Sequence, residues 1–156
     1  MVDVICDTSP IQYLHQIQQL HILPALAGKI IVPPAVVNEI NVGRLAAVDL
    51  PELSRLDWVF VQSPAGQSAL PLISDLGAGE SEVLMLALET PGSTVILDDM
   101  LARQMAESLE LPLTGTLGLL LDAKRAGLIR QVSPLLEQLQ ALRFRRQPPG
   151  RVEIGK

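Results

Sequence analysis

Five short apolar runs alternate with helix-forming segments, and this alternation is the strongest constraint on the fold. The runs are Val2 to Cys6, Lys29 to Val32, Trp58 to Val61, Thr94 to Leu97 and Leu111 to Thr114. Strands separated by helices predict right-handed βαβ units and an α/β fold with a mainly parallel central sheet. Ser9-Pro10 opens a helix to about Leu20, and Pro33-Pro34 opens a short one through Ile40. Gly43 to Leu56 is mixed, and Gln62 to Asp75 is loop-like. Further helices are expected over Glu80 to Glu89, Leu101 to Leu109 and Thr116 to Ala126, the last stopped by Gly127. Ser133-Pro134 starts a final helix that ends among arginines. Residues 1–146 read as one domain, and 147–156, with Pro148-Pro149-Gly150, as a tail.

In such a sheet the working crevice lies at the carboxyl ends of the strands. Acids fall there. Val4-Ile5-Cys6 runs into Asp7, and Val95-Ile96-Leu97 runs into Asp98-Asp99. Asp7 suits a helix N-cap, but Thr8 and Ser9 already offer hydroxyls for that role. One of Asp98 and Asp99 suits a cap as well; two adjacent acids exceed what a cap needs and repel each other unless a cation neutralises them. Glu39 has Val36 and Ile40 as helical neighbours, which places it either at the rim of the core, aimed into a site, or on the surface. Glu80 heads the stripe of Val83, Leu84, Ala87 and Leu88, whereas Glu82 shares its side with Met85, Leu86 and Glu89. Glu80 is therefore favoured as a ligand, with Glu82 as its support.

Carboxylates without a Cys or His motif select hard cations, Mg²⁺ or Mn²⁺. Such an ion activates water and stabilises a phosphoryl group without a side-chain nucleophile. The reading is a metal-dependent phosphodiesterase.

Other chemistries lack their residues. His15 and His21 do not share a helical face as a metal pair would. Ser9, Ser81 and Ser133 lack the Gly-x-Ser-x-Gly setting of a hydrolase nucleophile. Gly77-x-Gly79 is too short for a phosphate-binding fingerprint and reads as a flexible helix entry. Trp58 and Phe60 are expected in the core. A phosphotransfer enzyme or receiver domain using Asp7 or Asp98-Asp99 ranks low. No second Asp follows Asp7 by two positions, and the paired acids come late in the chain.

The chain has 156 residues, 48% of them hydrophobic, enough for one domain with a substantial core. The apolar excess hints at a buried oligomer face, although a parallel sheet covered on both sides uses the same residues. Runs such as Leu117 to Leu121 are too short to cross a bilayer, and no signal-peptide pattern opens the chain. A single cysteine, Cys6, suits a reducing cytoplasm. The net charge of −5 is not the footprint of a general nucleic-acid binder. It does not exclude an enzyme acting on nucleic acid, because acids clustered at a metal site lower the charge by themselves. Arg143, Arg145, Arg146, Arg151 and Lys156 crowd the C-terminus, either as a solvated face or to grip RNA phosphates or a partner's acids.

Taken in order, several segments resemble the PIN-domain nucleases, most closely a compact prokaryotic branch of PIN-like proteins. They are Cys6-Asp7-Thr8-Ser9-Pro10, Val36-Val37-Asn38-Glu39-Ile40, Gly79-Glu80-Ser81-Glu82, Leu97-Asp98-Asp99 with Arg103, and Thr114-Gly115-Thr116 before Ala123-Lys124-Arg125-Ala126-Gly127. The resemblance implies a three-layer α/β/α fold and Mg²⁺- or Mn²⁺-dependent cleavage of single-stranded RNA. Many relatives are toxins of toxin–antitoxin pairs, similar to the VapC group, and a homodimer fits family habit. The implied catalytic acids are Asp7, Glu39, Glu80 and Asp99, with Asp7, Glu80, Asp98 and Asp99 as metal ligands. Thr8, Ser9, Glu82, Arg103 and Thr114 are supporting or substrate candidates, and Arg143, Arg145 and Arg146 are candidates for RNA or partner contact. Two positions depart from the pattern: Glu80 stands where typical nucleases carry Asp, and Leu97-Asp98-Asp99 replaces the usual Thr-x-Asp. Both departures bear on catalytic efficiency, and they keep open an inactive PIN-like module that acts by binding protein or RNA.

Overall fold

A computed structural model describes residues 2–66 and 76–145, with backbone alone for 143–145. Five strands form one parallel sheet: β1 (Val4–Cys6), β2 (Ile30–Val32), β3 (Val59–Val61), β4 (Thr94–Ile96) and β5 (Leu113–Thr114). Around it lie α1 (Thr8–Gln16), α2 (Ile22–Ala27), α3 (Pro34–Leu45), α4 (Ala78–Glu89), α5 (Met100–Ser108), α6 (Thr116–Arg125) and α7 (Ser133–Arg145). The result is the expected three-layer α/β/α arrangement.

The strand order is β3-β2-β1-β4-β5. From β1 the chain steps outward through β2 to β3, then returns to the other side of β1 for β4 and β5. The direction of winding reverses between β1 and β4, which opens a crevice above their carboxyl ends. The register there is Val4 with Thr94, Ile5 with Val95 and Cys6 with Ile96. Two backbone bonds extend the ladder past the strands, from the Asp7 amide to the Ile96 carbonyl at 3.1 Å and from the Leu97 amide to the Thr114 carbonyl at 2.9 Å. These bonds fix where Asp7 and Asp98 emerge.

The central strands are apolar on both faces because helices cover both. Ile5, Cys6, Ile30, Val32, Val95, Ile96 and Leu97 are all buried. Each large aliphatic among them contributes about 1.5–3 kcal/mol relative to exposure. Helix α4 lies against β1 and β4, with α3 and α5 beside it, while α1 and α2 pack on α6.

Several expected boundaries move. Helix α1 starts at Thr8, with Asp7 as its N-cap, and stops at Gln16. Pro10 still falls in the first turn, where its missing N–H has no helical partner to lose. Helix α2 was not expected, because six residues are too few to show helical periodicity. Helix α3 runs past Ile40 to Leu45, since Gly43 inside a helix costs only about 1 kcal/mol. Trp58 packs against the core as expected, but Phe60 does not. It lies on edge strand β3, is 47% exposed, and carries the Lys29 ammonium 5.3 Å from its ring centroid. The loop expected over 62–75 is described only as far as Gly66, and the tail from Arg146 onward lies outside the described residues.

Candidate functional site

Asp7 leaves the end of β1 almost fully enclosed, at 3% exposure. Although it occupies the N-cap position of α1, its side chain makes no capping bond. Burial pushes its carboxyl up to about 7; Glu80, Glu39 and Asp98 add repulsion, while the adjacent Thr8 amide pulls the other way. The thiol of neighbouring Cys6 is also pushed up, by burial and then by Asp7 and Asp98.

Glu39 is turned inward from α3, so of its three possible settings it takes the site. Its Oε1 accepts the Thr8 hydroxyl at 2.5 Å, and its Oε2 accepts the Gly79 amide at 3.0 Å. Gly79 is where the two acids meet. A methyl placed on it would lie 2.7 Å from Glu39 Oε1 and 3.1 Å from Asp7 Oδ1. Only a residue without a side chain lets both carboxylates close on the start of α4, so Gly79 does more than loosen a helix entry.

Glu80 and Glu82 part ways. Glu80 is half-buried in the crevice, with Oε1 accepting the Gly77 amide at 2.8 Å. Its carboxyl is raised by burial first, then by Asp99 and Glu39. Glu82 faces α3 and accepts the Ala35 amide at 2.9 Å, satisfying an N–H in the first turn of the helix that carries Glu39.

The two acids after β4 also differ. Asp98 is bound at both oxygens, Oδ1 by the Thr116 amide at 2.8 Å and Oδ2 by the Thr116 hydroxyl at 2.5 Å. It clamps the first residue of α6. Asp99 is exposed and caps α5, with Oδ2 accepting the Ala102 amide at 3.0 Å. Arg103 donates from Nη1 to the Leu97 carbonyl at 2.7 Å. That guanidinium nitrogen and Asp98 Oδ1 each lie 2.7 Å from where a methyl on Gly115 would be, so both need a glycine there. Thr114 turns its hydroxyl against Gly118 of α6. Arg143 and Arg145 are described as backbone in the last turn of α7, and Arg146 lies outside the described residues.

Above the acids is a cavity of about 520 Å³. Glu80, Asp98 and Asp99 line it together with Ser9 and Tyr13 of α1. Thr116 and Leu117 at the start of α6 and Leu136, Leu139 and Gln140 of α7 complete the lining. Sequence reasoning missed Thr116 and the α7 residues as site residues. Thr116 carried a signal, a Gly-Thr pair opening a helix; the α7 residues carried none.

Among the described residues no ion pair joins a cation to Asp7, Glu39, Glu80, Asp98 or Asp99. Likewise, no three Asp, Glu, His or Cys side chains there stand close enough together to hold one ion. The donors that face the crevice are all oxygens, the chemistry of a hard cation.

The family model described as DUF3368: PIN domain matches residues 3–154. No curated protein matches the chain. No helix among the described residues is long and apolar enough to cross a membrane. The matched span takes in all five strands, every acid of the crevice and the whole of α7, and the chain therefore belongs to the PIN-domain family DUF3368, with its nuclease-type fold.

Proposed function

We propose that this protein is a Mg²⁺- or Mn²⁺-dependent endoribonuclease that hydrolyses RNA phosphodiester bonds. One observation carries the reading. Burial, with added repulsion from Glu80 and Glu39, raises Asp7 to about 7, and among the described residues no ion pair relieves these acids. A buried cluster of this kind is costly unless a cation binds.

Asp7, Glu80 and Asp99 would hold the ion, with Glu39 beside them. When bound, the ion supplies an activated water and neutralises charge on the phosphoryl group. Gathering these ligands calls for side-chain rotation, since Glu80 and Asp99 each spend one oxygen on a backbone amide of their own helix. Thr8 orients Glu39, and Glu82 steadies the helix beneath it. Asp98 reads as a positioning residue, because both of its oxygens are committed to Thr116. Arg103 has guanidinium N–H groups beyond the one used on Leu97 with which to meet a substrate phosphate.

The biological setting follows family resemblance: a cytoplasmic toxin that works as a homodimer and is held in check by an antitoxin protein. Arg143, Arg145 and Arg146 would contact RNA or that partner. A second reading, an inactive binding module, is favoured by Glu80 in place of Asp and by the absence of a three-ligand cluster among the described residues.

Calorimetry with Mn²⁺ separates the two. Binding by the wild type that Asp7→Asn and Asp99→Asn abolish, followed by RNA cleavage that chelator stops, supports the nuclease. A wild type that binds no Mn²⁺ sinks it and supports the module.

A further inference from the structure

We infer that the cavity above the acids is a base-selective subsite, in which α7 chooses the nucleobase attached to the phosphate that is cut. This deepens the ribonuclease reading and rests on it.

The cavity is divided by chemistry. Glu80, Asp98 and Asp99 supply acids and Ser9 and Thr116 hydroxyls, while Tyr13, Leu117, Leu136 and Leu139 add aromatic and aliphatic surface. Leu117 is 50% exposed at the start of α6, although it touches the site. Leu136, Leu139 and Gln140 are spaced so that one side of α7 presents two aliphatic chains and one carboxamide to the space. Apolar side chains from α1, α6 and α7 beside the Gln140 carboxamide suit a flat, unstacked base. Carbon surface covers its faces, and the amide meets its polar edge with one donor group and one acceptor. The volume falls in the range of small-ligand sites. Duplex RNA does not fit this arrangement, because its bases are stacked and paired.

The fold separates the two tasks. The acids stand at ends of β1, α4 and β4, whereas Gln140 stands on the last helix. Selectivity can therefore change at α7 while the acids stay fixed.

The test is binding without turnover. The full chain, labelled with ¹⁵N and with ¹³C at leucine methyls, is titrated in Mg²⁺ with AMP, GMP, CMP and UMP in turn. The expected result is that the Gln140 carboxamide and the Leu136 and Leu139 methyls shift, with one nucleotide binding about ten-fold tighter than the weakest. Gln140→Leu, at an exposed position that leaves the fold intact by its amide spectrum, should shrink that gap to about two-fold. Equal affinities in the wild type, an unchanged gap in Gln140→Leu, shifts confined elsewhere, or no binding would each overturn the inference. The ribonuclease reading fails separately: base-selective binding with no Mn²⁺-dependent cleavage of RNA leaves the subsite and removes the nuclease. Cleavage without base-selective binding does the reverse.

Discussion

Glu39 and Glu82 cap each other's helices. Glu39 reaches from α3 to the Gly79 amide of α4, and Glu82 reaches from α4 to the Ala35 amide of α3. Each carboxylate satisfies an N–H that its partner helix cannot bond internally, and each faces the positive end of that helix. The pair locks α3 to α4 and sets where the Glu39 carboxylate stands.

Glu82→Ala should therefore lower stability by about 1–2 kcal/mol, the usual cost of a lost cap. Glu82→Gln keeps an acceptor and should lose less than half of that. Urea denaturation checks the order. If Glu82 were a free surface acid, the two variants would match the wild type.

Asp7 links stability to pH. Its folded value, about 7, lies above the ordinary 3.8, so between the two the folded state binds the extra proton. Stability from this group is fully present below about pH 4 and is lost as pH rises through about 7, on the order of a few kcal/mol in total. In chelator, the wild type should fall in Tm over that window relative to Asp7→Asn, which has no charge to bury. Added Mn²⁺ should restore the wild type and leave Asp7→Asn unchanged. Parallel Tm curves for the two proteins across this window would contradict the assignment.

Gly79→Ala isolates site geometry from folding. Alanine suits a helix better than glycine by about 1 kcal/mol, yet its methyl would stand 2.7 Å from Glu39 Oε1. The carboxylate is the flexible end of a side chain and will move aside. Losing the Glu39 cap costs about 1–2 kcal/mol, which alanine's helix preference largely offsets, so Tm should change little while Mn²⁺ affinity falls about ten-fold or more, since outer partners of ligands matter on that scale. Calorimetry and thermal melting on one sample read both quantities.

The adjacent acids Asp98 and Asp99 should separate in the same way. Asp98→Ala strips both bonds from Thr116 and should cost about 1–3 kcal/mol. Thr116→Val, which removes only the hydroxyl bond, should cost about 1 kcal/mol. Asp99→Asn retains a cap acceptor and should melt like the wild type while its Mn²⁺ affinity falls. Equal effects of Asp98→Ala and Asp99→Asn on both readouts would show that the division is wrong.

The strands were legible because each is an apolar run bounded by turn residues, and all five appear where the alternation put them. Their order was not legible. Nothing local tells β4 to pair with β1 rather than β3, since that choice depends on which helix faces cover the sheet. Helix α2 was lost to its shortness, and Phe60 was misplaced because an edge strand looks like a central one in sequence. In the site, Asp7 and the Asp98-Asp99 pair stood out as acids ending apolar runs. Helical spacing separated Glu80 from Glu82, but the tasks of Asp98 and Glu82 were invisible because their partners, Thr116 and Ala35, lie far along the chain. Thr116, Ala35 and Gly79 are set by packing, not by spacing.

Val4 pairs with Thr94, and that register bears on when the acid cluster can assemble. During synthesis, Asp7 and Glu39 emerge early, and β1 can pair with β2 at once through Ile5 and Ile31. The other flank of β1 stays open until Thr94 to Ile96 has been made and docks. A chain halted before that point holds the first acids but not Asp98 or Asp99. Such long-range strand pairing is slow compared with helix formation. The acid cluster is therefore incomplete until most of the chain has been translated.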